Sequence, residues 1–504
     1  MASTWRNLLP RDPLTALTVL ALVPRVLAAF FSGGYFAHDD HFLVIEAAGS
    51  WADGSDYNNW LPWHQEGEPR PSGHSFFYVG FHYLLLVLLK GIGITQPKVL
   101  MVFVRLVHAV WSLIVVRTGY RIALKLSGDE GIAWRTGLLL ALFYFMPFLA
   151  VRNLVEVACI PFLMLGAWRL VRDGDKPALG AVLVAGIWFG LAINVRFQTL
   201  FMSAGAGLGL LLLRDVRRAL VFGAGVLLPL VVFQGGIDLF IWDRPFAELT
   251  EYVMYNMAHS TTYGVLPWYN FLLLLAGVFI PPLSLGVLFG FFRRWKPLPV
   301  WLALFAFLAF HSWHPNKQER FIFPLLPLYF VLGYTALEQW RLASAWWQGR
   351  PGLQRGLRIW TWSLNLLLLV VLTFSYSKRS RVEAMAMLYG RTDVQGLVVE
   401  DTAEGEAPMT PLFYLGNWNV TVVPWTDPQA DLAGELDRYP DLQRPNYVVF
   451  IGEEDLDARV ARTEAAMGPL ELVGKAQPGL VDQVVHWLNP VNRNEVLQVM
   501  RTTR

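Results

Sequence analysis

The sequence predicts an α-helical polytopic membrane protein that carries a small C-terminal soluble α/β domain. Three observations lead there. The 504 residues are 55% hydrophobic and only 16% charged, with a mean hydropathy of +0.40, whereas a soluble domain is about 25% charged. Long apolar runs alternate with basic clusters along most of the chain. Beyond about residue 380, Asp, Glu, Pro and Gly return and short β-like runs appear. A net charge of +2 argues against a nucleic-acid partner. Cys159 is the single cysteine, which excludes an internal disulfide or a cysteine-based metal site. The chain shows no internal repeat and no low-complexity tract.

The first apolar run follows Arg6 and Arg11 and begins at Leu14. It resembles a signal peptide but lacks a small-residue cleavage site, so it reads as a first membrane helix over 14–32. It exits outward and leaves 33–74 outside. The cluster Arg121/Lys125/Arg135 belongs inside, so 75–120 makes a net single crossing. That segment nevertheless holds two apolar runs, 75–95 and 99–119. One of them lies in the interface or re-enters, or a further break is hidden.

From 136 onward the alternation is regular. Arg169/Arg172/Lys176, Arg214/Arg217/Arg218, Arg293/Arg294/Lys296 and Arg341/Arg350/Arg355/Arg358 are placed in the cytoplasm by the positive-inside rule. The intervening tips at Arg152-Asn153, Arg196-Phe197, 242–270 and 313–320 then fall outside. A last span over 359–376 leaves the tail outside too, and 11 to 13 spans are expected. The membrane domain is expected to cover 1–376 and the α/β domain 377–504. Strand-like runs sit at Gly396–Val399, Val420–Val423 and Tyr447–Ile451, and a helical pattern runs from Asp455 to Met467.

The polar residues gather at the external tips. The first loop opens Tyr35-Phe36-Ala37-His38-Asp39-Asp40-His41-Phe42, then Glu46. A carboxylate here can serve as a general base, and a carboxylate pair can bind a divalent cation. The plain alternative is a solvated loop start. Trp51, Trp60, Trp63 and His64 suit sugar faces and an interfacial position equally. Arg152, Asn153, Glu156 and Arg196 read as ligands or as snorkelling anchors. The segment 242–270 offers Asn256, His259, Tyr263 and Trp268, and otherwise reads as an interfacial amphipathic helix. The turn from His314 to Arg320 sets Lys317 and Arg320 between two apolar runs, where they can hold a phosphate. Acidic groups early and cationic groups late suit a reaction that deprotonates an acceptor and neutralises a leaving group.

These residues resemble glycosyltransferase family 22, the lipid-phosphate-mannose-dependent mannosyltransferases. That family's Phe-x-Pro-Asp-Glu-x-(Trp/Phe)-Gln-x-x-Glu motif matches Phe36 to Glu46 in frame. Its Arg-Thr-x-x-Asn-x-x-Glu segment is echoed by Arg152-Asn153-Leu154-Val155-Glu156, and its Arg-Pro-Thr by Arg196-Phe197-Gln198-Thr199. A third segment resembles Asp238…Asn256…Ser260…Tyr263-Gly264…Pro267-Trp268. The most specific motif, His-Lys-Glu-x-Arg-Phe-x-x-Pro, is similar to Asn316-Lys317-Gln318-Glu319-Arg320-Phe321-Ile322-Phe323-Pro324. The chain departs at Asn316, Gln318, His38 and Asp40. The resemblance covers 14–335 and gives the α/β domain no counterpart.

The resemblance implies a GT-C fold with its active site on the extracytoplasmic face of a bacterial inner or ER-type membrane. It implies a polyprenyl-phosphate sugar donor, mannose in this family, and a glycolipid or glycan acceptor. Asp39 is then the base, beside Asp40 and Glu46, in a single displacement with inversion. Lys317, Arg320, Arg196 and Arg70 are expected at the departing phosphate. Arg152, Asn153, Glu156, Asn256, His259, Tyr263, Trp268 and His314 are expected around the substrates. No cofactor is expected, with a divalent cation at Asp39/Asp40 as the open alternative. Rival readings are a GT-C transferase of the protein O-mannosyl or aminoarabinose type and a secondary transporter. The missing internal repeat speaks against the transporter.

Overall fold

The computed structural model describes residues 10–174, 176–262 and 264–503. The protein is mostly α-helical, with a small C-terminal sheet. Its packing divides into two compact units interleaved along the chain. The first holds residues up to 29, 59–81 and 104–373; the second holds 30–58, 82–103 and 374–504.

Among the described residues, five helices are long and apolar enough to cross a bilayer: Pro13–Phe31, Pro97–Ser127, Val216–Trp242, Glu319–Ala343 and Pro351–Thr373. Five shorter apolar helices join them, among them Leu179–Val195 and Leu298–Trp313. Breaks within the bundle cut other crossings into pieces too short to identify by length. Close approach in the first unit relies on small residues. A Cβ on Gly186 would lie 2.9 Å from the Gly225 Cα, so helices 179–195 and 216–229 meet backbone to backbone.

The break at Phe143 shows how such a bundle tolerates irregular backbone. Helix Glu130–Leu142 ends inside the unit, and its last carbonyls need donors. Buried Arg25 gives Nη1 to the Ala141 carbonyl at 2.8 Å and Nη2 to Leu140 at 3.2 Å. Its Nε goes to Ser112 Oγ at 2.9 Å. Asn365 of the last span donates to the Leu142 carbonyl at 2.9 Å and accepts from the Tyr144 amide at 2.8 Å. Arg105 likewise caps the first helix at the Ala29 carbonyl, at 2.7 Å. With its ends satisfied, the broken stretch carries Arg152, Asn153 and Glu156 into the interior. All three are buried, which overturns the snorkelling reading.

The second unit is built on a five-stranded sheet: β1 Gly396–Glu400, β2 Thr421–Trp425, β3 Tyr447–Ile451, β4 Leu470–Ala476 and β5 Leu497–Thr502. The order is β2-β1-β3-β5-β4. The first three strands are parallel, and β5 runs antiparallel to both β3 and β4. β1 and β3 are buried along their length, as parallel strands covered on both faces require. Val398, Val448, Phe450 and Met467 share one core, with helix Leu456–Met467 laid over it. Pro424 sits in β2, an edge strand, where its missing N–H is tolerated.

Contacts inside this unit fix the turn within residues 75–120. Both apolar runs are helices, Phe76–Gly91 and Pro97–Ser127. At the turn between them Lys90 meets Asp53 at 2.5 Å and Lys98 meets Glu383 at 2.6 Å. Trp418 Nε1 also donates to Asp53, at 2.8 Å. The turn is thus held to the first loop and to the residues after the last span. These exposed ion pairs report position; each adds little stability, about 0–1 kcal/mol.

Candidate active site

Two polar clusters stand out, one in each unit. In the second unit Asp39 ends a short turn and Asp40–Glu46 follows as a π-helix. The wide turn places Asp40, His41 and Glu46 in the interior, while Asp39 stays half-buried. The solvated-loop reading is thereby overturned. Glu46 accepts from the Phe413 amide at 3.1 Å and from the Tyr57 hydroxyl. His41 Nε2 lies 3.5 Å from its Oε1. The His41 ring is stacked between Tyr35, at 4.4 Å between centroids, and Tyr414, at 5.6 Å. Burial and then the Glu46 charge push the Tyr57 hydroxyl up, so Tyr57 remains a donor. Glu46 thus has both oxygens engaged, and Asp39 is the most exposed carboxylate of the three.

Arg381 belongs to this cluster and was missed in the sequence. It is buried, donates Nη2 to the Arg493 carbonyl at 2.6 Å, and its charge acts on Tyr35 and His38. The signal was present. Lys378-Arg379-Ser380-Arg381 is a basic run on the side that the positive-inside rule leaves poor in cations. Lys378 is also engaged, donating to Asn492 O at 2.6 Å and Asn494 Oδ1 at 2.8 Å. Burial lowers its pKa to about 8.

In the first unit Glu156 is fully buried and faces two arginines. Arg196 Nη2 lies 3.0 Å and Arg320 Nε 3.8 Å from its Oε1. Both guanidinium groups approach the Phe321 ring, at 5.4 and 5.7 Å. Arg320 also donates to Gln318 Oε1 at 2.9 Å. Arg196, Glu156 and Arg320 all act on the Tyr252 hydroxyl, and Arg152 lies 4.4 Å over the Phe148 ring. One carboxylate facing two guanidinium groups leaves a surplus of positive charge suited to an anion.

Lys317, expected at the donor phosphate, donates its ammonium to the carbonyls of His311 at 3.3 Å, Ser312 at 3.0 Å and His314. A lysine has three N–H donors, and here all three close the C-terminus of helix Leu298–Trp313. The Lys317 amide also donates to the Gly264 carbonyl at 3.0 Å, and Val265 bridges Asn316. The 264–266 segment is thus pinned to the 315–317 turn. Lys317 thus holds the shape of that turn.

The other expected residues are scattered. His314 is half-buried, and burial with the Lys317 charge lowers its pKa, so it is neutral near pH 7. Asn256 donates to the Tyr252 carbonyl at 2.8 Å. Trp268 is exposed, and half-buried His259 stacks on Tyr255 at 4.2 Å. Arg70 sits in an exposed loop whose backbone is tied to Gln65. Tyr263 lies outside the described residues. Among the described residues, no group of three or more His, Cys, Asp or Glu is gathered for a metal ion.

A buried carboxylate pair supports the 242–270 segment. Gln234 Nε2 donates to both Asp238 oxygens at 2.9 Å and to Glu248 Oε2 at 2.8 Å. Glu248 also accepts from the Phe76 amide at 2.9 Å. Burial, then the Asp238 charge, holds the Glu248 carboxyl well above the usual range. The folded state keeps a proton that the unfolded state releases. This contribution to stability is therefore full at acid pH and is lost as pH rises above about 5 through the raised value. Glu248→Gln should flatten the fall of Tm as pH rises above the ordinary glutamate range. An unchanged slope in a thermal-shift series would refute the assignment.

Comparison with known proteins agrees with this architecture. Residues 16–395 match the Alg9-like mannosyltransferase family. A GPI mannosyltransferase 3 of Saccharomyces cerevisiae is 23% identical over 223 residues, 41% of this chain and 35% of that protein. The α-1,2-mannosyltransferase ALG9 of the same yeast is 41% identical over 69 residues, 13% of this chain and 12% of that protein. The matches thus span about a third or less of these relatives' lengths. Among solved structures, ArnT from Cupriavidus metallidurans bound to undecaprenyl phosphate is similar in fold. Its TM-score is 0.63 at 12% identity, covering 100% of this chain and 99% of that one. Its apo form gives the same TM-score at 14% identity, covering 99% and 98% of the two chains.

Proposed function

This chain belongs to the Alg9-like mannosyltransferase family, and from that premise we propose that it transfers mannose from a polyprenyl-phosphate donor to a glycolipid or glycan. Asp39 takes the proton of the acceptor hydroxyl as its oxygen attacks C1 of the sugar. The C1–phosphate bond breaks on the opposite face, the anomeric centre inverts, and the lipid phosphate leaves with the electron pair. Arg196 and Arg320 balance the charge that builds on that phosphate. The reaction takes place on the extracytoplasmic face.

The observation that carries this reading is the buried Glu156–Arg196–Arg320 group, with two guanidinium groups on one carboxylate. A carboxylate already in place holds the arginines apart and oriented, so less reorganisation is needed when the phosphate develops charge. The similar fold of ArnT, which is bound to undecaprenyl phosphate, supports a lipid phosphate as the donor class.

Arg320→Lys tests it. Lysine keeps the charge and loses the planar fork. Transfer from polyprenyl-phosphate mannose should fall at least ~10-fold, or ~1.4 kcal/mol of transition-state stabilisation. Inhibition by the polyprenyl phosphate product should weaken in parallel. Full activity with normal product inhibition would return Arg320 to an anchoring role.

A further inference from the structure

A cavity of about 430 Å³ in the first unit takes no part in the chemistry above. It lies between helices Leu283–Arg293, Leu326–Ala343 and Pro351–Thr373, with the start of Glu130–Leu142 closing one side. Its two ends differ in chemistry. Toward the 341–358 connection it is lined by Arg135, Glu338, Arg341 and Arg358. Toward the middle of the bundle it is lined by Leu139, Leu283 and Leu285. Leu285 and Phe289 are more than two-fifths exposed, so its wall opens on the lipid-facing surface.

The charges do not balance. Arg341 holds Glu338 through Nε at 3.0 Å and Nη2 at 2.6 Å. Arg135 Nη2 approaches the same carboxylate at 3.1 Å. Among the described residues Arg358 has no hydrogen-bond or ion-pair partner. Arg135 Nε and Trp347 Nε1 are buried donors without acceptors. Two guanidinium groups thus meet one carboxylate, and Arg358 adds a third positive charge to the lining of an apolar slot. Trp340 and Trp347, 6.2 Å apart, mark the head-group level, where tryptophan concentrates. Basic pockets between membrane helices near a basic surface suit anionic lipid head groups.

We propose that this cavity binds an anionic phospholipid from the leaflet beside the basic loops. The phosphodiester sits against Arg358 and the Nε edge of Arg135, while Arg341 is held by Glu338 and Gln354. The upper part of one acyl chain follows Leu285 and Phe289 into the slot. The site holds the last span against helices 283–293 and 326–343, apart from the residues assigned to transfer.

The test uses the full-length protein in detergent and native mass spectrometry, titrating phosphatidylglycerol against phosphatidylcholine of identical chains. Phosphatidylglycerol should bind at least about fivefold more tightly, the scale of one arginine at an anionic lipid. Arg358→Gln should remove that preference, and Arg358→Lys should keep most of it. Leu285→Trp, which fills the slot and leaves the arginines in place, should weaken both lipids. Equal binding of the two lipids by the wild type would overturn the proposal. So would a preference that survives both Arg358→Gln and Leu285→Trp. If undecaprenyl phosphate displaces phosphatidylglycerol and loses binding in Arg358→Gln, the cavity belongs to the donor lipid and the phospholipid assignment falls.

Discussion

Asp39→Asn should lower mannosyl transfer by at least ~100-fold, the usual scale for losing a general base, while the protein keeps its fold. Asparagine preserves the shape of aspartate and cannot accept the proton. The local structure distinguishes Asp39 from its neighbours. Asp40 is buried on the π-helix, and Glu46 is engaged by Tyr57 and the Phe413 amide, whereas Asp39 remains half-buried. Asp40→Asn should therefore be the milder change. Turnover measured with labelled polyprenyl-phosphate mannose decides between them. Wild-type rates in Asp39→Asn would remove the base from this position. Greater sensitivity at Asp40 would shift the assignment by one residue.

Arg196→Gln should destabilise the protein by about 3 kcal/mol, the lower end of the cost of stripping one partner from a buried ion pair. Glu156 is fully buried, and the partner left to it is Arg320 at 3.8 Å, against the lost contact at 3.0 Å. Arg320 softens the loss, which is why the lower end applies. The double variant Arg196→Gln/Glu156→Gln removes the orphaned charge and should recover most of the stability, though not the activity. Thermal inactivation in detergent reads both effects. A single variant as stable as the wild type would mean that Glu156 is neutralised in some other way.

Much of this protein was legible in its sequence. Apolar runs of span length, arginine-rich loops and the return of polar residues after 380 led to a polytopic helical protein with an α/β tail, and the fold agrees. β1, β3 and helix 456–467 were visible because buried parallel strands are continuous apolar runs. β4 and β5 were not. β4 is an edge strand with few buried residues and a register shift between Leu472 and Gly474, so its pattern never repeats cleanly. The matched motifs led to Glu156, Arg196 and Arg320, and the structure gathers them in one place.

Tertiary structure alone decided how individual ions are employed. Lys317 and Arg320 are three residues apart and look alike in the chain. One caps a helix end and the other faces a buried carboxylate, because where a helix stops depends on what receives its carbonyls. Arg25, inside an apolar run, gave no sign that it and Asn365 would satisfy the break at Phe143 across more than a hundred residues of chain. Nor did the sequence reveal that Lys90 and Lys98, at the turn after helix 76–91, meet partners distant in the chain. Composition and periodicity are local and so determine which segments enter the membrane. The partner of a buried charge is set by distant contacts, and those appear only once the chain has packed.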